Sequence, residues 1–165
     1  MRKHFKCVYL GLALFYLSGC SATVRHTMSK PNLKLRNFNK VILYLMNNSG
    51  SVSFSSANLK NVRSMQIMDG EKQGIIALES LQFEMMSIGF DIVTSESDAK
   101  AIVEFFIGQI RYDPVGGWIA DQAIVKFRER TTGDIIAIFQ AKKQMITPSI
   151  NNIVSNLVKE IGKSF

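Results

Sequence analysis

Two amphipathic segments limit what this chain can fold into, because each carries an apolar stripe that has to be buried. Near the carboxyl end, apolar residues recur at i, i+3, i+4, i+7, i+8 and i+11, the spacing of one helix face: Ile150, Ile153, Val154, Leu157, Val158 and Ile161. A second such pattern lies between Asp69 and Gly89: Ile75, Leu78, Leu81 or Gln82, Met85 and Ile88. Two predicted helices of this kind need a sheet or a partner to pack against.

The ends of these two helices also have sequence signals. Asp69 can cap the first helix, and Gly89 can end it. Thr147 supplies a capping hydroxyl for the last helix, with Pro148 at the favoured first position. Within the first helix, Met85 and Met86 are interpreted as core filler rather than as ligands.

Apolar and β-branched runs supply the strands of the predicted sheet. They cover residues 41–46, 52–54, 90–94, 102–110, 118–129 and 135–141, whereas residues 55–68 are Ser- and Asn-rich and predict a loop. A hairpin turn is predicted at residues 131–134. The pattern predicts an α+β fold: a single two-layer domain, with an antiparallel or mixed sheet of about four to five strands and two helices on one face.

The first twenty residues are a targeting signal rather than part of that domain. Arg2, Lys3 and Lys6 form a basic start. Residues 8–17 are an apolar run, which is followed by Ser18, Gly19 and Cys20. A membrane-spanning helix needs about 20 apolar residues, so this run is too short to span. Residues 1–19 are predicted to be a signal peptide that is removed.

The residues at the end of this signal resemble the lipobox of bacterial lipoproteins: Leu17, Ser18, Gly19 and Cys20. The resemblance implies that the Cys20 thiol receives a diacylglyceryl group and that acyl chains hold the chain in a membrane. In a Gram-negative host, Ser21 after the cysteine implies the periplasmic face of the outer membrane. Residues 20–37 are interpreted as the lipidated cysteine and a flexible tether, and residues 38–165 as the α/β periplasmic domain.

Positive charge is concentrated near the predicted anchor. The formal charge of +7 falls to +4 when the signal is lost, and residues 21–68 contain seven Lys or Arg and no Asp or Glu. Such a segment can lie on an anionic surface, or it can be a solvated tether that lacks acids. The compartment and the absence of a recognisable motif exclude nucleic acid as a partner.

Three short features extend the likeness to the domain itself: residues 88–93 at the end of a helix, Asp98-Ala99 before a β-rich run, and residues 132–137 around a hairpin turn. The arrangement resembles the small α/β domains of the curli secretion lipoprotein, of lipoprotein activators of penicillin-binding proteins, and of the amino-terminal domain of Tol translocation protein B. The resemblance implies a fold and a compartment, and no activity.

No motif in the sequence indicates catalysis, so the chain is predicted not to be an enzyme, with no metal and no cofactor. Its two histidines, His4 and His26, lie in the signal and the tether, which argues against a histidine triad or zinc site. The acidic pairs Asp91 with Glu96 and Asp113 with Asp121 are interpreted as solvated surface charge.

Two aromatic residues beside a Gly-Gly turn, Tyr112 and Trp118, are the candidate partner contact, although a tryptophan at the edge of the core is the commoner case and the favoured interpretation. The leading hypothesis is a lipid-anchored, non-catalytic protein-binding or assembly module with an envelope protein as partner. The alternative is a carrier that binds a lipid or a cell-wall fragment in an apolar cavity between sheet and helices. The oligomeric state is left open.

Overall fold

The computed structural model describes residues 22–29, 32–46, 52–55, 69–114, 117–143 and 149–165. In chain order, these residues form β1 (Thr23–Met28), β2 (Lys40–Met46), β3 (Val52–Ser55), α1 (Asp69–Ser87), β4 (Asp91–Ile92), β5 (Ala101–Ile107), β6 (Ile110–Asp113), β7 (Gly117–Ala120), β8 (Gln122–Glu129), β9 (Ile135–Lys142) and α2 (Ile150–Lys163). Two short 3-10 helices lie at Leu35–Phe38 and Glu96–Asp98. The predicted signal, the lipobox residues, Cys20 and most of the 55–68 loop lie outside the described residues.

Seven of the strands form one mixed sheet. Its order is β1-β9-β8-β5-β2-β3, with β4 also paired to β2. β2 runs parallel to β4 and β5, and the remaining neighbours are antiparallel. The predicted α+β class with a mixed sheet is confirmed, and the sheet has more strands than the four to five expected.

Both helices pack on the same face of this sheet and against each other. Alternate residues of each central strand point to that face and are fully buried, such as Val103 and Phe105 in β5 and Val125 and Phe127 in β8. From α2, the predicted stripe supplies Ile153, Leu157 and Ile161 to the same cluster. The hydrophobic layer between sheet and helices is therefore the core of the domain.

Both predicted helices are present, but Asp69 is the first residue of α1 rather than its cap, and two further details differ. In α1, Ile75, Leu78, Leu81 and Met85 are buried as expected, but Met86 is 50% exposed and is not core filler. Residues one apart on a helix point about 100° apart, so Met85 and Met86 cannot both face the sheet. The cap of α2 is Ser149, whose hydroxyl accepts a hydrogen bond from the Asn152 N–H, and not Thr147, which lies outside the described residues.

Two predicted strands are each broken in two. The run at 102–110 divides at Gly108, where an added Cβ would lie 3.2 Å from the backbone oxygen of Gln122. The run at 118–129 divides at Asp121. Between the two breaks, β6 and β7 form a separate antiparallel hairpin rather than extending the sheet. Likewise, the strand expected at 90–94 shortens to Asp91–Ile92.

The tether prediction for residues 20–37 is wrong over most of its length. Residues 23–28 are β1, an edge strand paired along its whole length with β9, from Thr23 opposite Lys142 to Met28 opposite Ala137. Leu35 is fully buried in the core. Polar side chains dominate β1 because one of its faces and one of its edges meet solvent, so its sequence lacks the apolar pattern that indicates a strand.

An interaction between β1 and α2 helps to hold this edge strand. The His26 ring stacks on Phe139 with centroids 5.9 Å apart, and its Nδ1 lies 3.1 Å from the Glu160 carboxylate. The Lys163 ammonium is the main group that lowers the pKa of Glu160, with His26 adding to the effect against a raising contribution from burial. Because folding lowers its pKa, ionised Glu160 stabilises the fold at pH values above the ordinary glutamate pKa. This stabilisation is lost as the pH falls and Glu160 becomes protonated.

Replacing Thr27 with proline tests the placement of β1. Ser29 N–H donates to the Ile136 carbonyl at 2.9 Å, and alternate residues of an antiparallel strand direct their N–H groups to the same neighbour, so Thr27 N–H also faces β9. Proline removes that donor, so we expect the free energy of unfolding to fall by about 1–2 kcal/mol. Urea denaturation measures the change, with Thr27→Val as the control that keeps the N–H. Hydrogen exchange of the Arg25 and Thr27 amides, which face β9, as fast as in a free coil would contradict the assignment.

Candidate interaction surfaces

The predicted contact residues lie side by side on the β6–β7 hairpin. Tyr112 and Trp118 are directly opposite in the register, and their rings meet edge to face with centroids 5.5 Å apart. The Tyr112 side chain is 63% exposed, whereas Trp118 is half-buried. The structure therefore joins the two residues into one exposed aromatic pair.

The hairpin packs against the first turns of both helices. Trp118 lines a surface groove of about 240 Å³ together with Gln73 and Ile76 of α1 and with Ser149 at the start of α2. An isolated β-bridge joins Ile119 to Ser149. These contacts fix the aromatic pair at the end of the domain where both helices begin.

A second apolar surface, which the sequence patterns did not predict, lies on the exposed side of α1. We call it the α1 patch: Ile76 is 42% exposed, Phe83 is 72% exposed and Met86 is 50% exposed. Positions 76 and 83 are seven residues apart and point in nearly the same direction, while 86 lies about one turn beyond 83. In the sequence, a second row of apolar residues beside the core-facing row could have indicated this surface. The core-facing row alone was sufficient to predict the helix.

The sheet face opposite the helices carries both charged and apolar side chains. Glu104 lies between two cations of β8, with its carboxylate 2.9 Å from Arg128 Nε and 3.2 Å from Lys126 Nζ. The Lys126 ammonium also lies 4.9 Å from the centroid of the Phe106 ring. No helix or strand of the described ranges covers this face.

Two of the acidic residues that were interpreted as solvated surface charge, Asp121 and Glu96, make structural contacts. Asp121 lies 3.3 Å from Arg111 and 3.5 Å from Lys143. Glu96 accepts a hydrogen bond from the Tyr44 hydroxyl at 3.0 Å. Burial, followed by this bond and the Glu96 charge, raises the pKa of Tyr44. Within the described residues, no group of three or more His, Cys, Asp and Glu is placed to hold a metal ion.

The carrier hypothesis requires an apolar cavity between sheet and helices. That layer is instead filled by large, fully buried side chains, among them Phe105, Phe127 and Phe139. A larger groove of about 610 Å³ lies at the surface between β1 and the carboxyl end, and its lining includes His26, Lys34 and Lys163. Its lining also includes the apolar Met28, Leu33 and Phe165, but it lies at the surface rather than between sheet and helices.

No helix in the described part of the chain is both long enough and apolar enough to cross a bilayer. No protein-family model and no curated protein matches the chain. Solved structures do match its fold. A dodecamer of PelC from Paraburkholderia phytofirmans is 15% identical, with 87% of this chain and 94% of that chain covered and a TM-score of 0.51. A DUF4136 family protein from Bacteroides thetaiotaomicron is 9% identical, with 88% and 94% covered and a TM-score of 0.45. The likeness to PelC supports the α+β fold.

Proposed function

We propose that this chain is a lipoprotein anchored through Cys20 on the periplasmic face of the outer membrane, and that it acts there as a non-catalytic assembly module. The observation that carries the assembly role is the α1 patch, with Phe83 72% exposed. Burying a phenylalanine stabilises a complex by about 1.5–3 kcal/mol relative to leaving it in water. Several large apolar side chains exposed on one helix of a small domain are typical of a protein contact.

The occupant that we propose for the α1 patch is a second copy of this chain. PelC, whose fold this chain shares, is described as a dodecamer. Lipid anchoring also favours self-assembly, because it confines all copies to one surface and raises their effective concentration. An aromatic anchor at the centre of a patch is the kind of residue that dominates binding energy in protein interfaces.

The position of the patch suits a contact between neighbours on one membrane. Phe83 lies fourteen residues after the start of α1, which corresponds to about 21 Å along the helix axis. The start of α1 is at the same end of the domain as the β6–β7 hairpin. Phe83 and Met86 therefore lie on the side of the domain, away from that end, whereas Ile76 lies nearer to it, beside Trp118.

Replacing Phe83 with serine tests this proposal. We expect wild-type protein to form oligomers and the variant to dissociate about 30-fold more readily, because a central aromatic contact contributes about 2 kcal/mol. Sedimentation equilibrium measures this on protein secreted behind a conventional signal with alanine in place of Cys20. Lys72→Ser, at an exposed position on the same helix, is the matched control.

Self-assembly through the α1 patch would be contradicted if the wild-type protein stayed monomeric at the highest soluble concentration. It would also be contradicted if Phe83→Ser and Lys72→Ser changed the dissociation constant equally. A photo-crosslinker at position 83 of the anchored protein in intact cells gives a second readout. If position 83 crosslinks to a different envelope protein and not to another copy of this chain, that protein is the partner of the α1 patch and the proposed self-assembly is wrong.

A further inference from the structure

The chain between the predicted acylation site and the folded domain is very short. Ala22 is only 9% exposed and belongs to the core cluster, and β1 begins at the next residue. Only Ser21 lies between Cys20 and Ala22. An extended chain covers at most about 3.3–3.6 Å per residue step, so the two steps from Cys20 to Ala22 span at most about 7 Å. Each headgroup layer of a bilayer is itself about 5–7 Å deep. A domain held this closely cannot stand clear of the headgroups.

The strand register shows which surface is brought to the membrane. Thr23 at the start of β1 lies opposite Lys142 at the end of β9, which in turn lies opposite Gln122 at the start of β8. The Lys143 N–H donates to the Asp121 carbonyl, at the base of the β6–β7 hairpin. Thr23, Lys142, Lys143 and the hairpin therefore share one end of the domain, which we call the anchor end.

The side chains at the anchor end suit a lipid interface. Tyr112 and Trp118 combine an apolar ring with a polar group, the combination enriched where a bilayer meets water. Lys142 is exposed, and the Lys143 side chain is 46% exposed. Lysines next to an anchor are attracted to anionic headgroups, and their alkyl stems can lie along apolar surface.

We infer that the anchor end is seated on the lipid surface, with the Tyr112–Trp118 pair at the level of the headgroups and Lys142 and Lys143 against anionic lipid. This inference rests on the proposed acylation of Cys20. It assigns the aromatic pair to the bilayer rather than to a protein, because the short connection directs that end toward the membrane. It also leaves the α1 patch facing sideways, available to a neighbouring copy.

The fluorescence of Trp118 tests this inference directly, since it is the only tryptophan in the chain. The acylated protein is reconstituted into vesicles of phosphatidylethanolamine and phosphatidylglycerol whose acyl chains carry bromine, a contact quencher. We expect the emission to fall to about half of its value in unbrominated vesicles, as for a tryptophan at the interface. The control combines Trp118→Phe with Phe83→Trp, which moves the reporter to the α1 patch, and we expect it to remain unquenched.

A second variant tests the role of charge without altering the reporter. Lys142→Glu combined with Lys143→Glu replaces attraction to phosphatidylglycerol by repulsion, so we expect the quenching of Trp118 to fall about twofold. In vesicles of neutral phosphatidylcholine, the variant and the wild-type protein should be quenched alike. Equal quenching of the two in anionic vesicles would overturn the role of these lysines.

Mass spectrometry of the amino-terminal peptide separates failure of the anchor from failure of the orientation. If Cys20 carries no acyl group, both the proposed anchor and the seated orientation are wrong. If Cys20 is acylated but Trp118 is not quenched, the anchor stands and the seated orientation is overturned, and crosslinks from position 118 to a protein would then identify the contact. Equal quenching at positions 118 and 83 would also overturn it, because the domain would then lie on its side.

Discussion

Alanine in place of Cys20, behind a conventional cleavable signal, releases the protein from the membrane into the soluble periplasmic fraction. We expect this complete change because the acyl chains are the proposed means of attachment. Each buried methylene contributes about 0.8 kcal/mol, and more than one chain is needed for stable anchoring. The Tyr112–Trp118 pair and two lysines supply too little apolar area to replace them. Fractionation followed by immunoblotting measures the distribution, and the mass of the amino-terminal peptide reports the modification.

Cys7 provides the matched control, because it is the other cysteine in the chain and lies in the predicted signal. Cys7→Ala should leave both the acylation and the membrane fraction unchanged. A released protein that rebinds anionic vesicles weakly, in a salt-dependent way, would agree with the seated anchor end. If the unacylated protein instead remained in the membrane fraction after high-salt washing, Cys20 would not be the anchor.

Phe127→Ala is expected to lower the free energy of unfolding by about 3–5 kcal/mol. The side chain is fully buried in the middle of β8, where its ring lies 5.8 Å from Phe90 and 6.0 Å from Phe139 between centroids. Its removal leaves a cavity between the sheet and the helices that close-packed neighbours cannot fill. Urea denaturation of the unacylated protein measures the change.

The same substitution at an exposed position is the control for this measurement. Phe83→Ala removes an equal number of atoms from the α1 patch, where burial is slight, so the free energy of unfolding of the monomer should change by no more than about 0.5 kcal/mol. A loss below about 1 kcal/mol for Phe127→Ala would show that β8 is not packed as described. A large loss for Phe83→Ala would show that Phe83 stabilises the fold rather than an interface.

Elements with a regular period were predictable from the sequence. The stripe in α2 and the alternation in β8 each place apolar side chains on one face, and a buried face has to be apolar along its whole length. The turn at 131–134 was predictable because Gly133, with φ 75°, adopts a backbone conformation that glycine favours. These local requirements hold whatever the element packs against, so they can be seen in the sequence alone.

The features that matter most for function were decided by tertiary structure. β1 is a strand because β9 offers it an unpaired edge, and backbone hydrogen bonds to an edge require no side-chain pattern. The 102–110 run divides because the backbone of Gln122 approaches Gly108 closely. Residue types near the amino terminus predicted a tether, whereas pairing with β9 leaves only Ser21 between Cys20 and the buried Ala22.

The same distinction between sequence and tertiary structure applies to the proposed anchor and to the two candidate contact surfaces. The proposed acylation of Cys20 follows from the resemblance of residues 17–20 to a lipobox, and this resemblance can be seen in the sequence alone. Tyr112 and Trp118 were singled out as aromatic residues beside a turn, but only the hairpin register and the start of β1 place them at the anchor end. Exposure of Phe83 depended on which of two apolar rows of α1 the sheet covered. A sequence specifies which side chains are apolar, and the packing of the whole chain determines which of them remain in contact with water.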